Sequence, residues 1–282
     1  MKICAVVVTY YPNISELFTN ISQYIDSVDH LIVWENTPQQ KRGDYKINLP
    51  EYSYKITYMS REDNVGIAFP LNRAVEFCLI NGYSHLLTMD QDSRWADFEL
   101  FKAAVKRIAI CNIAAYVPII PEIYDWNVVI DKYREVEEYI TSGTIYNIQA
   151  IKDIGLFRED YFIDAVDIEF CYRSQNCGYK AIQMSDGKLY HRLGYSKRFC
   201  KFITTPNYSA VRTYFIIRNH IWLWREYPKF FKKKYFILRH TIFRLFLIIL
   251  VENNKLEKIK SIFKGVFHGI SRQYCSNPSR YI

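Results

Sequence analysis

His85-Leu86-Leu87-Thr88-Met89-Asp90-Gln91-Asp92-Ser93 begins apolar and ends on two carboxylates either side of a glutamine. A short unbroken apolar run closed by polar residues reads as a strand buried on both faces, the habit of parallel sheets. Working outward, the pattern repeats. Ile3–Thr9 is apolar and β-branched and runs into Tyr10, His30–Glu35 ends at Asn36, and Tyr54–Met59 leads into the polar segment Ser60–Asn64. Between these runs the apolar spacing is helical: Ile14, Leu17, Phe18, Ile21 and Ile25 follow the Pro12-Asn13 break, and Ala68, Leu71, Ala74, Val75 and Cys78 follow Asn64-Val65-Gly66, with Gly82 as the stop. On the C-terminal side, Trp95–Ile110 predicts a helix and Ala114–Pro118 a fifth strand. Strand–helix alternation of this kind predicts an α/β fold, a Rossmann-like mostly parallel sheet with helices on both faces. Such sheets bind ligands beyond the carboxyl ends of their strands. Thr9-Tyr10, Glu35-Asn36, Ser60–Asn64 and Asp90–Asp92 are therefore expected along one rim.

The remainder is organised differently. A Thr141-Ser142-Gly143-Thr144 loop precedes an acidic segment, Asp164–Glu169, that enters a helix ending near Gly178; Ala181–Met184 is a predicted strand, with a turn at Asp186-Gly187. The last third predicts helices over about 207–226, 229–251 and 255–270. The chain has 282 residues, half hydrophobic and 23% charged, which excludes a disordered chain and allows a sizeable core. Its seven cysteines include no Cys-x-x-Cys pair, against a disulfide scaffold or a zinc site and in keeping with a reducing compartment. Ile3–Val8 is too short for the apolar core of a secretory leader. Tyr235–Val251 contains Arg239, His240 and Arg244, whereas a membrane span needs about 20 apolar residues. That segment either lies in a membrane surface or packs on the body.

Three clusters carry chemistry. Asp90 and Asp92, two apart in an extended segment, point the same way. They are either a solvated acidic turn or a pair addressing one divalent ion, for which hard oxygen ligands suit Mg²⁺ or Mn²⁺. Asp164, Asp167 and Glu169 lie among Phe, Ile and Val; Asp164 or Asp167 reads either as a helix cap or as part of a set whose mutual repulsion raises a pKa towards base catalysis. His191, after a strand, is either structural or the third ligand of a two-Asp, one-His metal site.

In order and spacing these pieces resemble the GT-A glycosyltransferases of family 2, and within them the bacterial rhamnosyltransferase-like members. The resemblance is carried by Val-Val-Thr-Tyr-Tyr-Pro at 7–12, Trp-Glu-Asn at 34–36, Asn-Val-Gly-Ile-Ala at 64–68, Met-Asp-Gln-Asp-Ser at 89–93, Thr-Ser-Gly-Thr at 141–144, the segment 162–171, His-Arg-Leu-Gly at 191–194 and the Arg218-Asn219 pair. It implies a nucleotide-sugar-binding catalytic domain over 1–206 and a basic amphipathic helical region over 207–282. It implies donor contacts from Thr9, Tyr10, Glu35, Asn64, Gly66, Asp90 and Gln91, and Mg²⁺ or Mn²⁺ held by Asp90, Asp92 and His191. It further implies Asp167 as base with Glu169 assisting, and Ser142, Gly143 and Arg218 towards the acceptor. Glu35 stands where the family often has Asp, and Val166 where many relatives have a second acid. The activity implied is inverting transfer of a sugar, rhamnose from a dTDP donor being the subfamily expectation, to a saccharide acceptor.

Charge is unevenly placed. Residues 1–190 carry 18 Lys+Arg against 26 Asp+Glu, and residues 191–282 carry 19 against 3. A basic end on an acidic body implies an anionic partner there. Arg218, Arg225, Lys229, Lys232–Lys234, Arg239, Arg244, Lys258, Lys260 and Lys264 are interleaved with apolar residues, and Ile242, Phe243, Phe246, Ile249 and Leu250 fall at helical spacing. The pattern fits either an interfacial helix on anionic lipid or a helix packed on the domain with a solvated basic face. A lipid-linked diphosphate acceptor accounts for both the charge and the stripe, and predicts a cytoplasmic protein peripheral at the inner face of the membrane. Three rivals remain. A non-catalytic membrane-peripheral scaffold keeps the fold but binds no nucleotide sugar. A nucleic-acid binder lacks any recognition motif. A nucleotidyltransferase needs a Gly-rich basic phosphate loop that Thr9–Ser15 does not supply.

Overall fold

The computed structural model describes residues 1–43, 48–108, 110–121, 132–191, 197–200, 203–205, 207–231 and 234–272, with the backbone alone at 197–200, 203–204 and 234–240. In chain order the elements are β1 (Ile3–Thr9), α1 (Ile14–Ser22), β2 (His30–Glu35), β3 (Ile56–Ser60), α2 (Ala68–Ile80), β4 (His85–Asp90), β5 (Ser93–Trp95), α3 (Phe98–Arg107), β6 (Ile113–Ile119), β7 (Tyr133–Val136), β8 (Thr144–Asn147), α4 (Ile148–Ile154), α5 (Val166–Asn176), β9 (Lys180–His191), β10 (Lys197–Cys200), β11 (Ile203–Thr205), α6 (Ala210–Glu226), α7 (Lys234–Leu250) and α8 (Lys255–Ser271). They form two compact units: Met1–Phe157 with Phe170–Arg192, and Arg158–Glu169 with Leu193–Ile282. Residues 158–169 thus group with the chain from Leu193 onward.

The first unit is built on a sheet of order β3-β2-β1-β4-β8-β6-β9-β5, with β7 also on β9. Every residue of β1 is buried, as its apolar run requires. Parallel pairing sets Thr9 beside Glu35, Val8 beside Asp90 and Glu35 beside Ser60, so the polar strand ends do share one rim. Beyond β4 the sheet mixes directions: β8 runs antiparallel to β4 and β6, and β5 and β7 antiparallel to β9.

Three local readings change. Thr144, read as the last residue of a loop, opens strand β8 (Thr144–Asn147); four residues are too few to show alternation, and Asn147 caps α4, accepting from the Gln149 N–H at 2.9 Å. Ser93–Trp95 is strand β5, and helix α3 starts later, where the Asp97 carboxylate accepts from the Leu100 N–H at 2.9 Å. Asp186-Gly187, expected as a turn, lies inside the twelve-residue β9. The β6–β9 register shifts between Val117 and Ile119, a bulge that absorbs the polar pair. The glycine is needed for packing: a Cβ at 187 would stand 2.3 Å from the Phe101 ring. Phe101 is fully buried and stacks on Trp95 with centroids 4.9 Å apart.

In the second unit, Ile217 and Ile221 of α6 meet Ile248 of α7 and Ile262 of α8. Gly265 and Gly269 allow α8 to approach α6 closely: a Cβ at 265 would lie 2.9 Å from the Tyr214 carbonyl oxygen, and one at 269 the same distance from Ile221. Among the described residues no helix is long and apolar enough to cross a membrane.

Gly187→Ala should destabilise the protein by about 1–3 kcal/mol, the usual cost of overpacking a filled core, read as a lowered denaturation midpoint with an unchanged slope.

Candidate active site

At the rim of the first unit, β4 delivers Asp90 and the connection to β5 delivers Asp92. Ser93 opens β5 directly opposite His191, the last residue of β9. Residues paired across antiparallel strands project on the same side, and the two side chains meet: Ser93 Oγ is 2.8 Å from His191 Nδ1. Ser93 Oγ also lies 2.6 Å from Ser142 Oγ, which accepts the Asp90 N–H at 3.2 Å. One buried hydroxyl chain therefore ties the ends of β4, β5, β9 and the 141–144 turn together. His191 Nδ1 stands 3.9 Å from an Asp90 carboxylate oxygen and 3.8 Å from one of Asp92. Ligand atoms of the three residues lie within 4.8 Å of one another, each residue being half-buried. Two carboxylates and an imidazole are a donor set suited to Mn²⁺ or Mg²⁺, so the residues fit a divalent ion. Asp92 and His191 open onto a cleft of about 460 Å³ that also touches Asn20 of α1, Arg94 and Tyr190, within the range of small-ligand sites.

The neighbouring loops are fastened by amides. The Gln91 side chain accepts from the Tyr10 N–H at 2.7 Å and donates to the Tyr10 carbonyl at 3.1 Å, fixing the loop after β1 against the loop after β4. Tyr10 itself remains exposed, and partial burial with Tyr11 alongside pushes its phenol above the usual value, so it stays a neutral donor at physiological pH. Asn36, nearly fully buried, donates to Asn64 Oδ1 and to the Gly66 carbonyl, both at 3.0 Å, and accepts from the Val65 N–H at 3.1 Å. Gly66 takes φ +76°, a left-handed conformation that suits glycine. The Glu35 carboxylate accepts from the Thr37 N–H at 2.9 Å.

Several expectations change here. Thr9 is fully buried, and its hydroxyl donates to the Trp34 carbonyl at 3.1 Å; it joins β1 to β2 and does not line a pocket. Ser142 is fully buried beneath Asp90, so it supports the acidic motif and does not face an acceptor. Gly143, at φ +74°, donates to the Thr88 carbonyl at 2.8 Å, and a Cβ there would stand 2.7 Å from Leu189. Ser93 and Asn36 were legible only as members of quoted motifs; their work became visible with the hydrogen bonds. Arg192, Leu193 and Gly194 of the 191–194 motif lie outside the described residues.

In the second unit, residues 158–165 form a loop leading into α5. Phe162, Asp164 and Ala165 have φ of +60°, +61° and +63°, a costly geometry for side-chain-bearing residues. Its anchors come from α6. The Asn219 amide donates to the carbonyls of Tyr161, Ile163 and Asp164 at 2.9, 2.9 and 2.7 Å. Arg218, expected towards the acceptor, is fully buried: it donates to the Asp160 carbonyl and to Asn219 Oδ1 and lies 4.1 Å over the Trp222 ring. Arg212 pairs with Asp164 at 3.0 Å. Beyond the loop, the half-buried Asp167 accepts from the Ile168 N–H at 2.9 Å. Glu169 is fully buried and accepts from the Tyr227 hydroxyl at 2.7 Å, an internal position that suits orientation of the helix start.

No family model matches the chain. The dTDP-rhamnosyl transferase RfbF of Shigella flexneri is 28% identical over 293 residues, 95% of each chain. Among solved structures, GalNAc-T7 with UDP, GalNAc and Mn²⁺ superposes with a TM-score of 0.60 at 14% identity, covering 83% of this chain and 51% of that one; this chain spans about half its length. The Pyrobaculum calidifontis mannosyltransferase PcManGT with GDP-Man and Mn²⁺ gives 0.58 at 13%, covering 97% and 76%. S. aureus TarS 1–349 with UDP-GlcNAc gives 0.58 at 15%, covering 100% and 89%. The chain thus has the architecture of a GT-A glycosyltransferase. The recognition drawn from its motifs is borne out, the full-length relative being a rhamnosyl transferase.

Asn219→Ala removes the donor shared by three buried carbonyls and should cost about 1–3 kcal/mol, measured as a lowered thermal midpoint, with Asn219→Asp no better because it supplies no replacement N–H.

Proposed function

We propose that this glycosyltransferase is inverting and metal-dependent and moves a sugar from a nucleoside-diphosphate donor to a saccharide acceptor. The observation that carries the reading is the Asp90, Asp92 and His191 cluster at the strand-end rim. The name of the Shigella flexneri relative supports L-rhamnose from dTDP-rhamnose as the donor sugar. Mn²⁺ in two of the structural neighbours supports a divalent ion, Mg²⁺ or Mn²⁺, on these residues. The acceptor is a lipid-linked saccharide in surface polysaccharide assembly, met at the cytoplasmic face of the membrane; the basic C-terminal region supports that part.

The roles follow the chemistry. Asp90, Asp92 and His191 hold the ion, and Ser93 keeps the imidazole in its tautomer and orientation. When bound, the ion neutralises charge developing on the diphosphate leaving group. Tyr10 and the Asn64–Gly66 loop, held by Gln91 and Asn36, contact the donor nucleotide, with Glu35 beside them. Asp167 accepts the proton of the acceptor hydroxyl. The acceptor oxygen attacks the anomeric carbon opposite the diphosphate, which leaves, so configuration inverts without a covalent enzyme intermediate. Glu169 orients the turn that presents Asp167.

A donor screen with Mg²⁺ or Mn²⁺, scored by nucleoside-diphosphate release, tests the reading. Asp167→Asn should retain donor binding and lose about 10²–10⁴-fold in turnover; unchanged turnover removes Asp167 as base. In calorimetry, Ser93→Ala should weaken Mn²⁺ binding about 10–100-fold, and Asp92→Asn or His191→Ala by at least as much. Absence of any metal-dependent nucleotide-sugar binding in the unaltered protein would favour the non-catalytic scaffold.

A further inference from the structure

Helix α7 is followed after four residues by α8, and the sequence gives both an apolar stripe beside cations. The structure separates two kinds of cation. Arg244 and Lys258 are buried, and both bond to the buried Glu252 carboxylate, Lys258 at 2.7 Å. Burial pushes that carboxyl up, but hydrogen bonds from Lys258 and Thr205 and the charge of Arg244 hold it below its usual value. These cations are internal and unavailable to an outside partner. Lys255, Lys260, Lys264 and Arg272 are exposed, with Glu257 the one exposed acid of the described residues from 234 onward.

The apolar stripes are not both used inside. On α7, Leu247 and Ile248 are buried, but Ile242, Phe243, Phe246, Ile249 and Leu250 are 48–60% exposed. They recur at helical spacing on one side of α7, and the one charged residue between 242 and 250, Arg244, is buried. On α8, Ser261, Ile262, Gly265 and Gly269 are buried, while Leu256, Phe263, Phe267 and Ile270 are 59–76% exposed. Lys260 and Lys264 fall on that same outward side. Monomeric proteins rarely leave so many large apolar side chains grouped in the open.

We infer that the outward sides of α7 and α8 seat in the surface of a bilayer containing anionic lipid. Phe246, Phe263 and Phe267 enter the acyl boundary while Lys260 and Lys264 meet the headgroups. Charge selects this occupant. A second copy would bring the same cationic surface against itself, whereas anionic headgroups complement it and the acyl boundary takes the phenylalanines. No described helix crosses a membrane, so the helices lie in the interface plane. The inference deepens the reading of a lipid-linked acceptor, but it stands on the second unit alone.

The test is co-sedimentation of the full chain with vesicles, without donor, metal or acceptor, so its outcome is independent of the catalytic assay. The protein should bind vesicles of phosphatidylglycerol and phosphatidylcholine and release from them as salt rises. The variant Phe246→Glu, Phe263→Glu, Phe267→Glu, whose changes lie on exposed positions, should keep its circular dichroism and thermal midpoint and lose binding by about tenfold or more. Equal binding to pure phosphatidylcholine, an unaffected folded variant, or no binding by the unaltered protein would each overturn the inference. So would light scattering that shows a dimer dissociated by the same variant, or vesicle binding that appears only when residues 273–282 are deleted.

Discussion

The candidate metal site depends on one strand pairing. Ser93 and His191 are 98 positions apart, and only the antiparallel β5–β9 ladder sets them opposite each other. That pairing needs β9 to run on past Asp186-Gly187, and the run needs a residue without Cβ against Phe101. A packing constraint in the core thus determines where an imidazole stands at the rim. The buried Ser93 and Ser142 hydroxyls complete the arrangement: each satisfies the other, and through them the Asp90 backbone and the His191 ring are held in register. A fixed imidazole and two carboxylates thus stand within reach of one another.

The second unit stores strain and restrains it. Three side-chain-bearing residues at positive φ cost of order 1–3 kcal/mol each, so the 158–165 loop holds its form only because other groups over-determine it. Asn219 accounts for three carbonyls, Arg218 for another, and Arg212 for the Asp164 carboxylate. The Arg-Asn pair, recognisable in the sequence as a motif, therefore has a plain physical task. It exchanges backbone groups that a regular element would satisfy for side-chain donors. The segment bearing Asp167 can then leave ordinary geometry without leaving buried acceptors bare.

The basic character of the C-terminal region divides by location. Arg244 and Lys258 neutralise Glu252 in the interior, where an unpaired charge would be costly. The lysines of the outer face of α8 act outward among exposed phenylalanines. The net charge of a segment does not reveal this division, because a cation in a core and a cation on a surface count equally in the sequence but have opposite consequences for a partner.

Much was legible in the residues themselves. The buried strands β1, β2 and β4 follow from apolar runs that no other environment accommodates, and their parallel order follows from the helical spacing between them. The rim position of Asp90 and Asp92 follows from both. The pairing that sets His191 against Ser93, the strand at Thr144–Asn147 and the buried places of Thr9, Ser142, Gly143 and Arg218 depended on contacts between distant segments. A side chain's type states what it can bond to, so local pattern determined the strands, the acids and the helical stripes. Whether a given serine, threonine or arginine faces a ligand or a neighbouring carbonyl is decided by burial, and burial exists only once the chain has packed against itself.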